Sequence, residues 1–201
     1  MSVLLIGSNG SMGKRYQAIL RHLGKDFVGI DKGDELPEIP YSGYIIATPT
    51  DTHAGFLAEL VKYKKPILCE KPISKNMDEV GQLMRLYHEE KCPLKMMLQY
   101  DYVAEFVGNG LSLYNYFRHG NDGLVWDCMQ IVGAAKGEIA LYDDSPIWKC
   151  SINGRDLNSA QMDYAYVRYV QDWFKDPFQP LGRIMDIHQK TDAEARSGRH
   201  G

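Results

Sequence analysis

The chain has 201 residues, is 44% hydrophobic and carries a net charge of −3, which suits one full domain plus a smaller second one. Its lysines and arginines are scattered rather than massed, so nucleic acid is not an expected partner; the first apolar run is broken at Gly7 and no apolar run reaches membrane-spanning length, so a soluble, cytoplasmic protein is expected. Cys69, Cys92, Cys128 and Cys150 form no CxxC pair and have no histidine at ligand spacing, which argues against a zinc site or redox pair and leaves reduced thiols.

From the start to about residue 100 short apolar runs alternate with helical patterns. Val3 to Ile6, Phe27 to Ile30, Tyr44 to Ala47, Ile67 to Cys69 and Met96 to Leu98 read as buried strands. Between them Met12, Tyr16, Ile19, Leu20 and Leu23 mark one apolar helix face, Phe56, Leu57, Leu60 and Val61 a second, and Met77, Val80, Leu83, Met84 and Tyr87 a third. Asn76 followed by Glu79 predicts a capping box at the start of the third helix. The stretch from Asp31 to Tyr41 is acidic and broken by proline and reads as a loop. Continuous apolar strands separated by amphipathic helices predict an α/β domain over residues 1–100, a doubly wound parallel sheet of Rossmann type.

Beyond residue 100 the rhythm changes to a small α+β domain over residues 101–188. Leu111 to Phe117, Glu138 to Tyr142 and Ile147 to Ile152 read as strands, with a turn signal at "RHGNDG", while Leu124 to Ala135 and Ser159 to Phe174 read as helices. Met162, Tyr166, Tyr169, Val170 and Trp173 form a core stripe on the last of these. Residues 189–201 are polar without periodicity and read as a disordered tail.

The turn "GSNGSMG" follows the first strand and opens the first helix. There the missing side chains of Gly7, Gly10 and Gly13 let backbone approach a pyrophosphate, so Gly7, Ser8, Asn9, Gly10, Ser11, Met12 and Gly13 are candidate cofactor contacts. The spacing GxxGxxG departs from the commoner GxGxxG, with Asn9 at one glycine position, a residue that tolerates positive φ. Asp31 ends the second strand, where a carboxylate accepts hydrogen bonds from an adenosine ribose and repels a 2′-phosphate. NAD is therefore expected as cofactor; the neighbouring Lys32 keeps NADP open.

The stretch "YIIATPTDTHAGFLAELVKYKKPILCEKPIS" resembles the run from the third strand through the EKP signature of the Gfo/Idh/MocA oxidoreductases, the glucose-fructose oxidoreductase and inositol dehydrogenase group. With the glycine turn, the resemblance covers about the first hundred residues. It implies a Rossmann domain for a nicotinamide cofactor and a second domain closing the substrate site. By the same resemblance Lys71 contacts the substrate hydroxyl or carbonyl, Glu70 holds the local geometry, Pro72 shapes the turn near the cofactor, and Thr48, Pro49 and Thr50 line the cleft. His53 falls at the helix start, outside the chemistry. A lysine beyond the carboxyl end of a strand also agrees with where ligands bind in open α/β sheets, and its cation can stabilise oxyanion character during hydride transfer.

The family also has an Asp with a His four residues later on one helix face. Asp127 matches the acid, but position 131 is Ile and Gln130 exchanges no proton near neutral pH. As a helix, this segment would put Asp127 and Gln130 on a common face. Lys71 would then assist the hydride step, with Asp127, Tyr100 or Tyr102 relaying the proton and Tyr100, Tyr102, Asp127 and Gln130 contacting substrate. The resulting expectation is an NAD(P)-dependent oxidoreductase acting on a hydroxyl or carbonyl of a sugar, cyclitol or similar small molecule. Two alternatives stay open: a non-catalytic NAD-binding sensor or scaffold, and a biliverdin-reductase-like enzyme for a conjugated substrate. The short second domain leaves sheet edges for another copy, so a homo-oligomer is expected.

Overall fold

In this computed structural model the described residues are 2–38, 40–99, 101–102, 112–119, 125–132, 139–141, 150–152, 155–157 and 159–197; for residues 112–162, 191 and 193–197 the description is of the backbone alone. The chain divides into two units, Met1–Met97 with Val170–Asp186, and Leu98–Tyr169 with Ile187–Gly201. The first unit thus takes in a late segment that lies inside the expected second domain.

The first unit is built on five strands, β1 (Val3–Ile6), β2 (Phe27–Ile30), β3 (Gly43–Ile46), β4 (Ile67–Cys69) and β5 (Leu94–Met96). All pair in parallel in the order β2-β1-β3-β4-β5. Three helices cross over between strands: α1 (Ser11–His22), α2 (Thr50–Leu60) and α3 (Met77–Glu90). Strands β1, β3, β4 and β5 are buried throughout, as expected of a parallel sheet covered on both faces. The connection from β2 to β3 has no helix among its described residues, and β2 correspondingly leaves Val28 42% exposed at the sheet edge.

Sequence order reverses across β1, so the neighbouring carboxyl ends of β1 and β3 form a switch point, where doubly wound folds bind ligands. Helix α1 packs through Gly13, Tyr16, Ile19 and Leu20. Helices α2 and α3 are joined by Tyr87, whose hydroxyl donates to the Leu57 carbonyl at 2.9 Å. At the start of α3 the Asn76 side chain accepts from the amides of Asp78 and Glu79, at 2.9 and 3.4 Å. The expected box closes through an intermediary: the Asn76 amide donates to the Ser74 hydroxyl, which itself bonds to the Glu79 carboxylate.

The far edge, β5, is covered by the returning chain. The Gln179 amide donates to the Leu94 carbonyl at 3.2 Å, and the Met96 amide donates to Gln179 Oε1 at 2.8 Å. Lys95, buried in β5, pairs with Asp172 at 2.8 Å. A ladder edge that would otherwise offer bare amides is thereby satisfied by one residue's backbone and side chain together.

The second unit holds an antiparallel pair, β6 (Ser112–His119) with β7 (Val125–Val132), and an antiparallel sheet of β8 (Ile139–Leu141), β9 (Cys150–Ile152) and β10 (Arg155–Leu157) in the order β10-β9-β8. Helix α4 (Ser159–Lys175) follows, then α5 (Leu181–Ser197). Two expectations are corrected. The helix expected over Leu124 to Ala135 is strand β7 across its described residues: Val125, Trp126, Ile131 and Val132 are β-branched or aromatic, and the turn signal "RHGNDG" makes the segment the return arm of a hairpin. The tail expected from Gln189 is helical to Ser197, because Gln189, Lys190, Ala193, Glu194, Ala195 and Arg196 favour helix without needing an apolar stripe of their own.

Candidate functional site

The glycine turn is built by contacts that side chains would prevent. Gly7 has φ +87°, and a Cβ there would lie 2.6 Å from the Ala47 carbonyl oxygen, at the end of β3. A Cβ on Gly13 would lie 2.0 Å from the Gly7 oxygen, so the missing side chain lets α1 close onto the turn. Gly10 differs. Its Cβ would meet nothing nearer than 3.4 Å, so packing within the turn does not demand glycine there.

Helix α1 starts at this turn with no side-chain hydrogen bond to its cap and no acidic residue in its first turn. Its free amides and dipole therefore favour an anion from outside the helix. Ser11 and Met12 form that first turn.

Asp31 is locked to the turn. Its Oδ2 accepts from the Ser8 hydroxyl at 2.6 Å and from the Asn9 amide at 2.9 Å, while its own amide donates to Asp34 Oδ2 at 2.8 Å. Ser8 has room because residue 29 is glycine; a Cβ there would sit 2.7 Å from that of Ser8.

The Glu70, Lys71, Pro72 segment follows β4, with a cis peptide between Lys71 and Pro72. Glu70 is buried; its Oε1 accepts from the fully buried Tyr16 hydroxyl at 2.7 Å, and its Oε2 lies 3.3 Å from the Lys71 amide. Pro72 and Thr48 are tied by His53, itself 1% exposed, with Nδ1 2.8 Å from the Pro72 carbonyl oxygen and Nε2 2.8 Å from that of Thr48. Pro49 and Thr50 open α2, where the Thr52 hydroxyl bonds both the Pro49 carbonyl and the Thr48 hydroxyl, each at 2.7 Å.

The first unit thus brings the glycine turn, Asp31, the end of β3 and the Glu70 segment to the carboxyl ends of its strands. The remaining candidates belong to the second unit or fall outside the description. Tyr100 lies outside the described residues. Tyr102 packs edge-on against Tyr169, with ring centres 5.9 Å apart, and beneath the Arg168 guanidinium. Asp127 and Gln130 sit on β7, opposite Phe117 and Tyr114 of β6. The shared helical face expected for Asp127 and Gln130 does not form, since positions three apart on a strand do not share a face.

Two residues of the first unit's arrangement went unread. Tyr16 counted as one apolar member of a helix face, and its hydroxyl partner lies in another element; His53 read as a helix start. A tyrosine and a histidine that end fully buried need hydrogen-bond partners, and that need was the available signal.

The two thiols among the described side chains, Cys69 and Cys92, are buried. Burial pushes the Cys69 thiol well above its ordinary value, with the Glu70 charge adding to the rise, and burial likewise pushes Cys92 up to about 11. Neither is a thiolate near neutral pH. Among the described residues no cluster of three His, Cys, Asp or Glu side chains can hold a metal, and no helix is long and apolar enough to cross a membrane.

Comparison with known proteins supports this reading. Residues 30–98 match the model of the Gfo/Idh/MocA oxidoreductase family with an NAD-binding Rossmann fold. An inositol 2-dehydrogenase of Mycolicibacterium vanbaalenii is 27% identical over 125 residues, which is 61% of this chain but 35% of that protein. The match therefore spans about a third of that relative's length. A Gfo/Idh/MocA oxidoreductase from Vibrio cholerae superposes with a TM-score of 0.67 at 14% identity, covering 100% of this chain and 98% of the other. A myo-inositol dehydrogenase from Corynebacterium glutamicum gives 0.57 at 12% identity, covering 98% and 97%. At these identities the two structures speak for the fold, and with the family match they bear out the resemblance read from the sequence.

Proposed function

We propose that this chain, whose first unit carries the NAD-binding Rossmann fold of the Gfo/Idh/MocA oxidoreductases, is an NAD(H)-dependent oxidoreductase acting on a hydroxyl or carbonyl of a small polar molecule such as a sugar or cyclitol. The observation that carries this reading is that an uncapped helix N-terminus after β1, a carboxylate after β2 and a lysine after β4 all follow the carboxyl ends of strands in one parallel sheet. The residues fit a dinucleotide. Gly10 leaves an approach to the first turn of α1 that a side chain would narrow, and Asp31, fixed by Ser8 and Asn9 through one oxygen, suits a ribose diol and opposes a 2′-phosphate.

When bound, the nicotinamide accepts or supplies the hydride. The chain's own part is to hold and polarise. The amides of Ser11 and Met12 at the α1 terminus take the phosphates, Asp31 takes the ribose, and Thr48, Pro49 and Thr50 flank the cleft. Lys71 would hold its cation near the reacting oxygen, where it would stabilise the negative charge that oxygen carries once a carbinol has given up its proton or a carbonyl has gained hydride. A site that depends on such a charge loses about 10²- to 10³-fold in kcat when it is removed. Lys71→Ala is therefore expected to lower turnover of an identified substrate by about that factor while NADH still binds. Unchanged turnover would remove the lysine from the mechanism.

The cofactor assignment is tested by fluorescence titration with NADH and NADPH in parallel. Saturable binding of NADH in preference to NADPH is expected, from the Asp31 carboxylate. Binding of neither would end the enzyme reading.

A second reading is favoured by one specific observation. The segment that the resemblance compared with the family's helix of acid and histidine is strand β7, so the helical face expected over Asp127 to Ile131 does not form. A second unit without that face suits a protein that senses NAD(H) without turning over a substrate. NADH binding with no oxidation across a broad panel of carbonyl compounds would select it.

A further inference from the structure

We propose that His53 and Tyr16 are positioning residues, a two-sided clamp that holds Lys71 at a set place relative to the cofactor; this role rests on the cofactor reading above. The two residues flanking Lys71 in sequence are each fastened by a buried side chain from a different helix. Before it, Glu70 accepts from the Tyr16 hydroxyl of α1 at 2.7 Å. After it, the Pro72 carbonyl is bonded by the His53 ring of α2 at 2.8 Å.

What the clamp is fastened to gives it meaning. The other nitrogen of His53 bonds the Thr48 carbonyl at the end of β3, and a Cβ on Gly7 would lie only 3.0 Å from the Thr48 side chain. Tyr16 belongs to α1, the helix whose N-terminus follows the glycine turn. The lysine's segment is thus tied, on both sides, to the elements that would cradle the dinucleotide phosphates. Neither tie runs through the solvent-exposed surface: His53 is 1% and Tyr16 0% exposed.

The chemistry of the His53 contacts makes them demanding. Both partners are carbonyl oxygens, which only accept, so any hydrogen bond to them must be donated by the ring. A smaller side chain takes the ring away from the buried Pro72 carbonyl and the part-buried Thr48 carbonyl, and an amide side chain can still donate to one of them. The helix start assigned to His53 by sequence needs neither contact.

The test is calorimetric titration of the full chain with NADH and with ADP-ribose, in the wild type, His53→Ala, His53→Gln and Tyr16→Phe. ADP-ribose carries the phosphates and both riboses but no nicotinamide, so it probes the glycine turn and Asp31 without the end near Lys71. The clamp predicts that His53→Ala binds NADH about tenfold more weakly with ADP-ribose affinity unchanged, that Tyr16→Phe shifts in the same sense, and that His53→Gln recovers part of the loss. A merely structural role would weaken both ligands in parallel, and that outcome, or no change in either, overturns the proposal. If the wild type binds neither ligand, the cofactor reading fails and this role falls with it. Hydrogen exchange across residues 69–73 separates the two failures: exchange no faster in His53→Ala than in the wild type means that the clamp itself is wrong.

Discussion

Gly13→Ala is expected to destabilise the first unit by about 3 kcal/mol, although alanine is the better helix former. On propensity alone the change in α1 would stabilise by roughly 1 kcal/mol. The added Cβ, however, would stand 2.0 Å from the Gly7 oxygen and 2.6 Å from the carbonyl carbon and oxygen of Ser8. All three are backbone atoms, which cannot rotate aside, so the helix must withdraw from the turn, and overpacking of that kind costs about 1–3 kcal/mol or more. Sterics therefore outweigh propensity.

Gly10→Ala, three residues earlier, is expected to do the reverse. Its Cβ would meet only the Gly7 oxygen at 3.4 Å, and its φ of −66° suits any residue, so stability should hold within about 0.5 kcal/mol. NADH affinity should nevertheless fall tenfold or more, about 1.4 kcal/mol, because the methyl occupies the approach to the α1 amides. Urea denaturation and NADH titration of both variants check the pair. Equal denaturation midpoints would show that Gly13 does not carry the close approach described for it.

Trp173→Ala is expected to cost about 3 kcal/mol, the lower end of the range for deleting a large buried aromatic. The ring is 1% exposed and reaches under β3, where a Cβ on Gly43 would lie 2.9 Å from its Cη2. Residue 43 is glycine in the space that the indole needs. The indole Nε1 is buried without a hydrogen-bond partner, and removing that unmet donor offsets part of the loss, since such a group costs about 1–3 kcal/mol. The adjacent Phe174 ring, 4.8 Å away and under the Lys25 amine, remains to cover part of the gap. A urea transition of the first unit at an unchanged midpoint would contradict the assignment of residues 170–186 to that unit.

Strands β1 to β4 were legible because each is a short apolar run with a glycine or proline in it or beside it. Boundaries slipped where a polar residue is buried: Leu98 was expected to end the fifth strand, while β5 in fact runs Leu94–Met96 around Lys95, whose charge is met by Asp172 far along the chain. The same limit hid the clamp. Tyr16 and Glu70 are separated by 54 positions, and a periodicity argument sees a tyrosine's ring but not its hydroxyl. In the second unit, "VWDCMQIV" satisfies both a helical and a strand reading over eight residues, and its antiparallel pairing with β6 decides between them. The glycine turn, Asp31 and the Lys71 segment could be placed at strand ends in advance because each directly follows a short apolar run in the sequence.

The Gln179 contact with β5 has a consequence for the order in which the molecule is made. Met96 and its partner Gln179 are 83 positions apart, so a ribosome that has released all five strands has still not released the group that seals the sheet. During that interval the nascent sheet carries a bare margin, open to any passing extended chain. Because closing a longer loop adds only about 0.6 kcal/mol per doubling of its length, the detour through the second unit costs the finished protein little. Its main cost is delay, and the newly made chain is exposed for as long as the intervening residues take to emerge.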